Sequence, residues 1–171
     1  GLWFTLIVTV FIMFFQLGSY PLLDPDEPVY AQTPREMVAA GDMLSPRIYG
    51  DFWYDKPPMY YWLVALTSQI FGESEFAARF PSAFFAVCGA VFLYFPVSRL
   101  LSVRVGLISA LVMATSIEYF YLGKAAVTDM TLTFCLMASL LSFIEKRYLL
   151  FFLFSALAVV TKGRLVFSFQ G

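Results

Sequence analysis

Residues 76–98 read FAARFPSAFFAVCGAVFLYFPVS. As a helix rising 1.5 Å per residue, that stretch extends about 35 Å, enough to cross a hydrocarbon core of about 30 Å. The same apolar character returns on either side of it, at about 2–17, 105–122, 127–144 and 148–161. Across the 171 residues 60% are hydrophobic and 13% charged, against roughly 45–50% and 25% in soluble domains. Twenty Phe and ten Tyr add to the load. A water-soluble fold of this length has too little interior for so much apolar surface. The sequence predicts an all-α integral membrane protein, a helical bundle of about five transmembrane helices.

Composition also excludes chemistry. The chain contains no His, which removes Ser-His-Asp and Cys-His catalysis and His-ligated zinc or haem. Cys88 and Cys135 lie inside apolar runs and form no C-x-x-C. There is no P-loop or G-x-G-x-x-G, and with a net charge of −1 and no basic stripe, nucleic acid is not an expected partner.

Orientation follows from the short breaks between spans. Arg99 and Arg104 flank one, and Glu145, Lys146 and Arg147 form another. Basic residues collect on the cytoplasmic side, so both breaks face the cytoplasm. Alternation then places residues 18–75, the Lys124–Asp129 turn and the Thr161–Gly163 turn together on the outer face. The outer loop 18–75 has its own elements. Pro28 to Ala40 is helix-like with Gly41 as its stop, and Pro34 costs stability or marks a kink. Residues 42–56 are rich in turn signals. Pro57-Pro58 opens a second helix, Met59 to Phe71, closed by Gly72. It is too short to span and is expected at the membrane interface with Trp53, Tyr54, Tyr60, Tyr61 and Trp62.

Several charged residues on the outer side have a structural and a chemical reading. Asp26 and Glu27, in Asp24-Pro25-Asp26-Glu27-Pro28, fit either helix capping or a carboxylate held at the surface as a general base. Lys56, in Tyr54-Asp55-Lys56-Pro57-Pro58, is either half of a surface ion pair with Asp55 or a cation at headgroup level facing a phosphate. Asp129 is either a helix cap or an ionisable group placed at the membrane for function. Arg35 is solvated or turned toward an acid. Lys162 is a helix C-terminal cation or a second phosphate contact.

Three stretches taken in order resemble the first outer loop of one family of membrane glycosyltransferases. They are Asp-Pro-Asp-Glu-Pro-Val-Tyr-Ala from Asp24, Arg-Glu-Met-Val-Ala-Ala-Gly-Asp from Arg35, and Tyr-Asp-Lys-Pro-Pro-Met-Tyr-Tyr-Trp-Leu from Tyr54. Ala-Val-Thr-Asp at 126–129 and Thr-Lys-Gly at 161–163 extend the match to about Gly163. The family is that of the lipid A aminoarabinose transferases and their relatives the protein O-mannosyltransferases, with the GT-C architecture. The resemblance implies sugar transfer from a polyprenyl-phosphate carrier to a lipid, glycan or protein acceptor, at the periplasmic face of a bacterial inner membrane. It gives Asp26 and Asp129 catalytic roles, and it makes Glu27, Tyr30, Arg35, Lys56 and Lys162 substrate-binding. Asp55 stands where relatives carry a metal-ligating Glu, so a divalent metal there is the one cofactor implied. Val29 replaces a basic residue of the aminoarabinose transferases. Residues 164–171 depart from the apolar span expected there. They are read as truncation or frameshift, which would leave the chain an inactive N-terminal piece. The alternatives are a non-catalytic lipid-binding subunit and a transporter fragment.

Overall fold

A computed structural model describes residues 1–23 and 25–163; the reading of the 164–171 tail lies outside the described residues. The elements are α1 (Leu2–Phe14), α2 (Asp26–Ala40), β1 (Arg47–Ile48), β2 (Asp51–Phe52), α3 (Met59–Phe71), α4 (Glu75–Leu100), α5 (Val103–Thr115), α6 (Ile117–Lys124), α7 (Thr128–Ile144) and α8 (Tyr148–Lys162). The fold is almost wholly helical, as expected. Helix α4 is the central post and packs against α1, α3, α5, α6 and α7, while α7 and α8 form an antiparallel pair.

The buried faces are made of small residues. Ala83, Ala86 and Ala90 on α4 are fully buried, as are Ala110 and Ala114 on α5 and Ala138 on α7. Small side chains let helix backbones approach closely. At Gly106 the approach is tightest: a Cβ there would lie 2.9 Å from the Tyr94 carbonyl oxygen of α4. Large apolar residues face outward instead. On α1 the buried stripe is Thr5, Thr9 and Met13, while Trp3 is 75% exposed and Leu149 on α8 is 83% exposed. In water such a surface would be an association site. Hydrocarbon is the solvent it suits.

By length and composition, α4 is the one described helix able to cross a membrane. A second candidate is α5 and α6 taken together, bent by 63°. The sequence predicted an unbroken span over 105–122. The break falls at Ser116, which is extended. Hydroxyls there compete for backbone carbonyls: Thr115 donates to Leu111 and the Ser116 side chain to Met113. Helices α1, α7 and α8 are apolar but only 13–17 residues long.

The loop between α1 and α4 is an ordered cap. Helix α2 ends where Gly41 takes a left-handed φ of 66°, the usual glycine stop. Pro34 lies inside α2 without ending it. The turn-rich stretch contains a small hairpin the sequence did not announce, Arg47 opposite Phe52 and Ile48 opposite Asp51. Tyr49 and Gly50 both have positive φ, the geometry of a tight hairpin turn. The Glu36 carboxylate on α2 accepts from both their backbone N–H groups, at 2.8 and 3.0 Å. Trp62 donates from its indole to the Met43 carbonyl at 2.6 Å. At the opposite end of the bundle, Glu145 accepts from Arg99 at 3.1 Å and pairs with Arg147 at 3.2 Å. The two breaks predicted to share one side do meet.

Candidate functional site

The loop end of the bundle is organised by a pair the sequence reading did not single out. Arg79, in the second turn of α4, has no solvent exposure. Its guanidinium donates to both carboxylate oxygens of Glu27, at 2.9 and 2.7 Å, and to the carbonyls of Leu17, Tyr20 and Pro21. The Tyr20 ring lies 4.0 Å beneath it. Glu27 also accepts from the backbone N–H groups of Leu23 at 2.7 Å and Ala126 at 2.6 Å. One buried ion pair thus ties the end of α1, the first turn of α2, the start of α4 and the loop before α7. Burial alone would raise the Glu27 pKa. The hydrogen bonds from Arg79, Leu23 and Ala126, with the Arg79 charge, outweigh it and hold the carboxyl below its usual range. The signal available in the sequence was an arginine inside an apolar stretch, which demands a buried partner.

With Glu27 turned inward, Asp26 is exposed in the same first turn. It makes no ion pair or hydrogen bond among the described residues, and it does not cap α2, whose cap position is Pro25. Tyr30, one turn on, is buried and contacts the rings of Tyr60 and Tyr61, centroids 5.2 and 5.8 Å away. Burial first, then the charges of Asp129 and Asp26, push the Tyr30 phenol up, against the opposing effects of Thr128 and Lys162. Asp129 does not cap α7 either: the cap position is Val127. Its carboxylate accepts from Lys162 of α8 at 2.6 Å.

The second proline motif closes the other flank. Lys56 pairs with the adjacent Asp55 at 3.1 Å, both side chains partly exposed. Burial raises the Tyr61 phenol, and Tyr30 and the nearby Asp55 charge add to the shift. Thr161 on α8 donates to the Met59 sulfur at 2.9 Å, which joins the last turn of α8 to the start of α3. Asp26, Tyr30, Asp129 and Lys162 thus share one neighbourhood, with Asp55 and Lys56 joined to it through Tyr61. Glu27 lies beneath it with its carboxylate fully engaged. Arg35 turns the other way and pairs with Glu73, beside a groove of about 690 Å³ between α2 and α3 that Val29 also lines.

No group of three or more Cys, Asp or Glu side chains able to hold a metal occurs among the described residues. Asp55 has an ammonium 3.1 Å away. The described residues do not by themselves fit a divalent metal at Asp55.

Helices packed around α4, with a capped loop end bearing acids and lysines, agree with what the family resemblance implies. Residues 55–168 match the family described as dolichyl-phosphate-mannose-protein mannosyltransferase, and the chain belongs to that family. It is 35% identical over 144 residues to the undecaprenyl phosphate-alpha-4-amino-4-deoxy-L-arabinose arabinosyl transferase of Edwardsiella ictaluri (strain 93-146), covering 82% of this chain and 26% of that protein. The enzyme of the same name from Aeromonas hydrophila is 32% identical, over 90% of this chain and 31% of that protein. Crystal structures of ArnT from Cupriavidus metallidurans share the fold. The apo state superposes with a TM-score of 0.87 at 22% identity, and the state bound to undecaprenyl phosphate with 0.85 at 23%. Each match covers 93% of this chain and 32% of that one. The chain thus spans about a third or less of these relatives.

Proposed function

We propose that the protein carrying this chain transfers a sugar from a polyprenyl-phosphate carrier to an acceptor at the periplasmic face of a bacterial inner membrane. In this reading α1, α4, α5 with α6, α7 and α8 are its first five spans, and residues 18–75 form the first outer loop. Lys56 and Lys162 face the anionic carrier. Asp26 orients the acceptor and takes its proton. The acceptor oxygen bonds to the anomeric carbon as the bond from that carbon to the phosphate oxygen breaks. The electron pair leaves with polyprenyl phosphate, whose charge Lys56 stabilises. A single displacement inverts the anomeric centre. Asp129 keeps Lys162 at the site, and Tyr30 forms the floor between the two acids.

The observation that carries this reading is Asp26, exposed one turn before the buried Tyr30 and without an ion pair or hydrogen bond among the described residues, together with Asp129 and Lys162 paired at 2.6 Å across α7 and α8. Charged groups gather at the two ends of the bundle, whereas a transporter would set them at mid-depth in broken helices. The test is Asp26→Asn in the full protein, in proteoliposomes with a panel of polyprenyl-phosphate sugars and carrier release followed by mass spectrometry. General base catalysis contributes about 10²- to 10⁴-fold, so turnover should fall by at least about 10²-fold with carrier binding retained. Unchanged turnover would overturn the mechanism.

A further inference from the structure

The other end of the bundle holds a pocket the transfer reaction does not use. It lies between the end of α4 and the α7–α8 turn, encloses about 210 Å³, and has Phe92, Phe95, Pro96 and Leu150 as its apolar walls. Arg99, Arg147, Glu145 and Ser142 supply its polar lining. Arg99 is twenty residues along α4 from Arg79, about 30 Å at the helical rise.

We propose that this pocket binds the phosphodiester headgroup of an anionic phospholipid, with the acyl chains lying along the exposed apolar faces of α7 and α8. Three observations carry the assignment. First, two guanidinium groups share one carboxylate: Arg99 donates to Glu145 and Arg147 forms an ion pair with it, which leaves one excess positive charge and further guanidinium N–H groups without a partner among the described residues. Guanidinium forks match phosphate oxygens. Second, Ser142 is only 2% exposed and its hydroxyl has no hydrogen-bond partner among the described residues. A buried hydroxyl without a partner is costly, and a phosphate oxygen would provide one. Third, the surroundings are built for a chain-bearing ligand. Phe143 and Phe152 are more than half exposed and Leu149 is 83% exposed, and all three lie next to the charged mouth in sequence.

The turn itself is fixed. Lys146 takes a left-handed φ of 59° and the Arg147 N–H donates to the Ser142 carbonyl at 2.8 Å, a helix-end motif that holds Arg147 over the pocket. Basic pockets between membrane helices on the cytoplasmic side are suited to anionic headgroups. The proposal rests on the membrane reading above but not on the sugar-transfer reading.

The test uses the full protein purified in neutral detergent and incubated with dioleoyl phosphatidylglycerol or dioleoyl phosphatidylcholine. Retained lipid is counted by native mass spectrometry. Phosphatidylglycerol should be retained several-fold more than phosphatidylcholine, and Arg104→Gln, at the same end but outside the pocket, should leave that ratio unchanged. Each guanidinium removed should cost roughly fivefold in retention, so Arg99→Gln/Arg147→Gln should lose the preference. Removing both arginines strands Glu145, so a second variant guards against misfolding. Glu145→Gln frees both arginines and should raise phosphatidylglycerol retention, where a merely structural role for Glu145 would lower it. Equal retention of the two lipids, an unchanged ratio in the double variant, or a fall on Glu145→Gln would each overturn the proposal. Displacement of phosphatidylglycerol by millimolar inorganic phosphate at constant ionic strength would also overturn it, by showing a site for free phosphate. Failure to retain phosphatidylglycerol at all would overturn it as well.

Discussion

Replacing Glu27 by Gln changes one oxygen to an NH2 group and leaves the shape nearly intact. In the native structure each carboxylate oxygen takes two donors: Oε1 from Arg79 and Ala126, Oε2 from Arg79 and Leu23. An amide oxygen serves one of these pairs. The NH2 group then faces two N–H donors, one from the guanidinium and one from the backbone, and neither has an acceptor. The Arg79 charge also stays buried without its partner. Breaking a buried ion pair on one side costs about 3–5 kcal/mol, a large part of a total stability of about 5–15 kcal/mol.

The assay is reversible unfolding in mixed micelles of rising sodium dodecyl sulfate, followed by far-ultraviolet circular dichroism. The pH dependence sharpens it. The Glu27 carboxyl is held below its ordinary value. Its contribution is therefore fully present above the unfolded carboxyl value of about 4.3. It is lost as pH falls through the lower folded value. Wild type should exceed Glu27→Gln by a constant margin from pH 8 down to about 5, and the margin should shrink below that. The double variant Glu27→Leu/Arg79→Leu removes both charges yet strands the carbonyls of Leu17, Tyr20 and Pro21, so it should remain destabilised. A margin under about 1 kcal/mol for Glu27→Gln, or a double variant as stable as wild type, would refute the reasoning.

Other perturbations probe the remaining links. Asp129→Asn should reduce stability by less than about 1 kcal/mol, because its pair with Lys162 is partly solvated. Its turnover in the carrier-release assay should fall far more, and a proportionate fall in both would make Asp129 merely structural. Glu36→Ala removes the acceptor for the Tyr49 and Gly50 amides, so hydrogen exchange at those two amides should accelerate while the helix amides of α4 stay protected. Gly106→Ala should cost about 1–3 kcal/mol in the same unfolding assay, because the added methyl meets the Tyr94 carbonyl and forces α4 and α5 apart.

The apolar helices were legible because long runs of apolar residues between charged breaks are visible in the sequence itself. The apolar stretches at 76–98, 127–144 and 148–161 coincide, as helices, with α4, α7 and α8 within a residue or two. Glycine stops at Gly41 and Gly72 were equally readable, since both take positive φ. The break at Ser116 was not, because Thr115 and Ser116 are compatible with a continuing helix until their hydroxyls are seen bonded to α5 carbonyls. The hairpin at 47–52 was hidden because its anchor, Glu36, lies eleven residues upstream of Arg47. For the site, the sequence offered Asp26, Lys56, Asp129 and Lys162 as four separate candidates, each with a capping or ion-pair alternative. Only tertiary structure reveals that Asp129 and Lys162 are partners, that Arg35 points away, and that Glu27 is committed inward.

That last commitment explains why two adjacent acids end up in different environments. Successive residues on a helix point about 100° apart, so fixing Glu27 against Arg79 necessarily directs Asp26 elsewhere, here to solvent. The same Glu27 carboxylate grips the Ala126 amide, three residues before Asp129. The position of Asp26 relative to Asp129 is therefore set by a buried contact that touches neither. Because Arg79 also holds the carbonyls at the end of α1, the loop end cannot relax around a lost Glu27 by moving one element alone. A substitution in this knot should disturb both exposed acids at once, whereas a substitution at Asp26 or Asp129 should leave the knot, and the fold, in place.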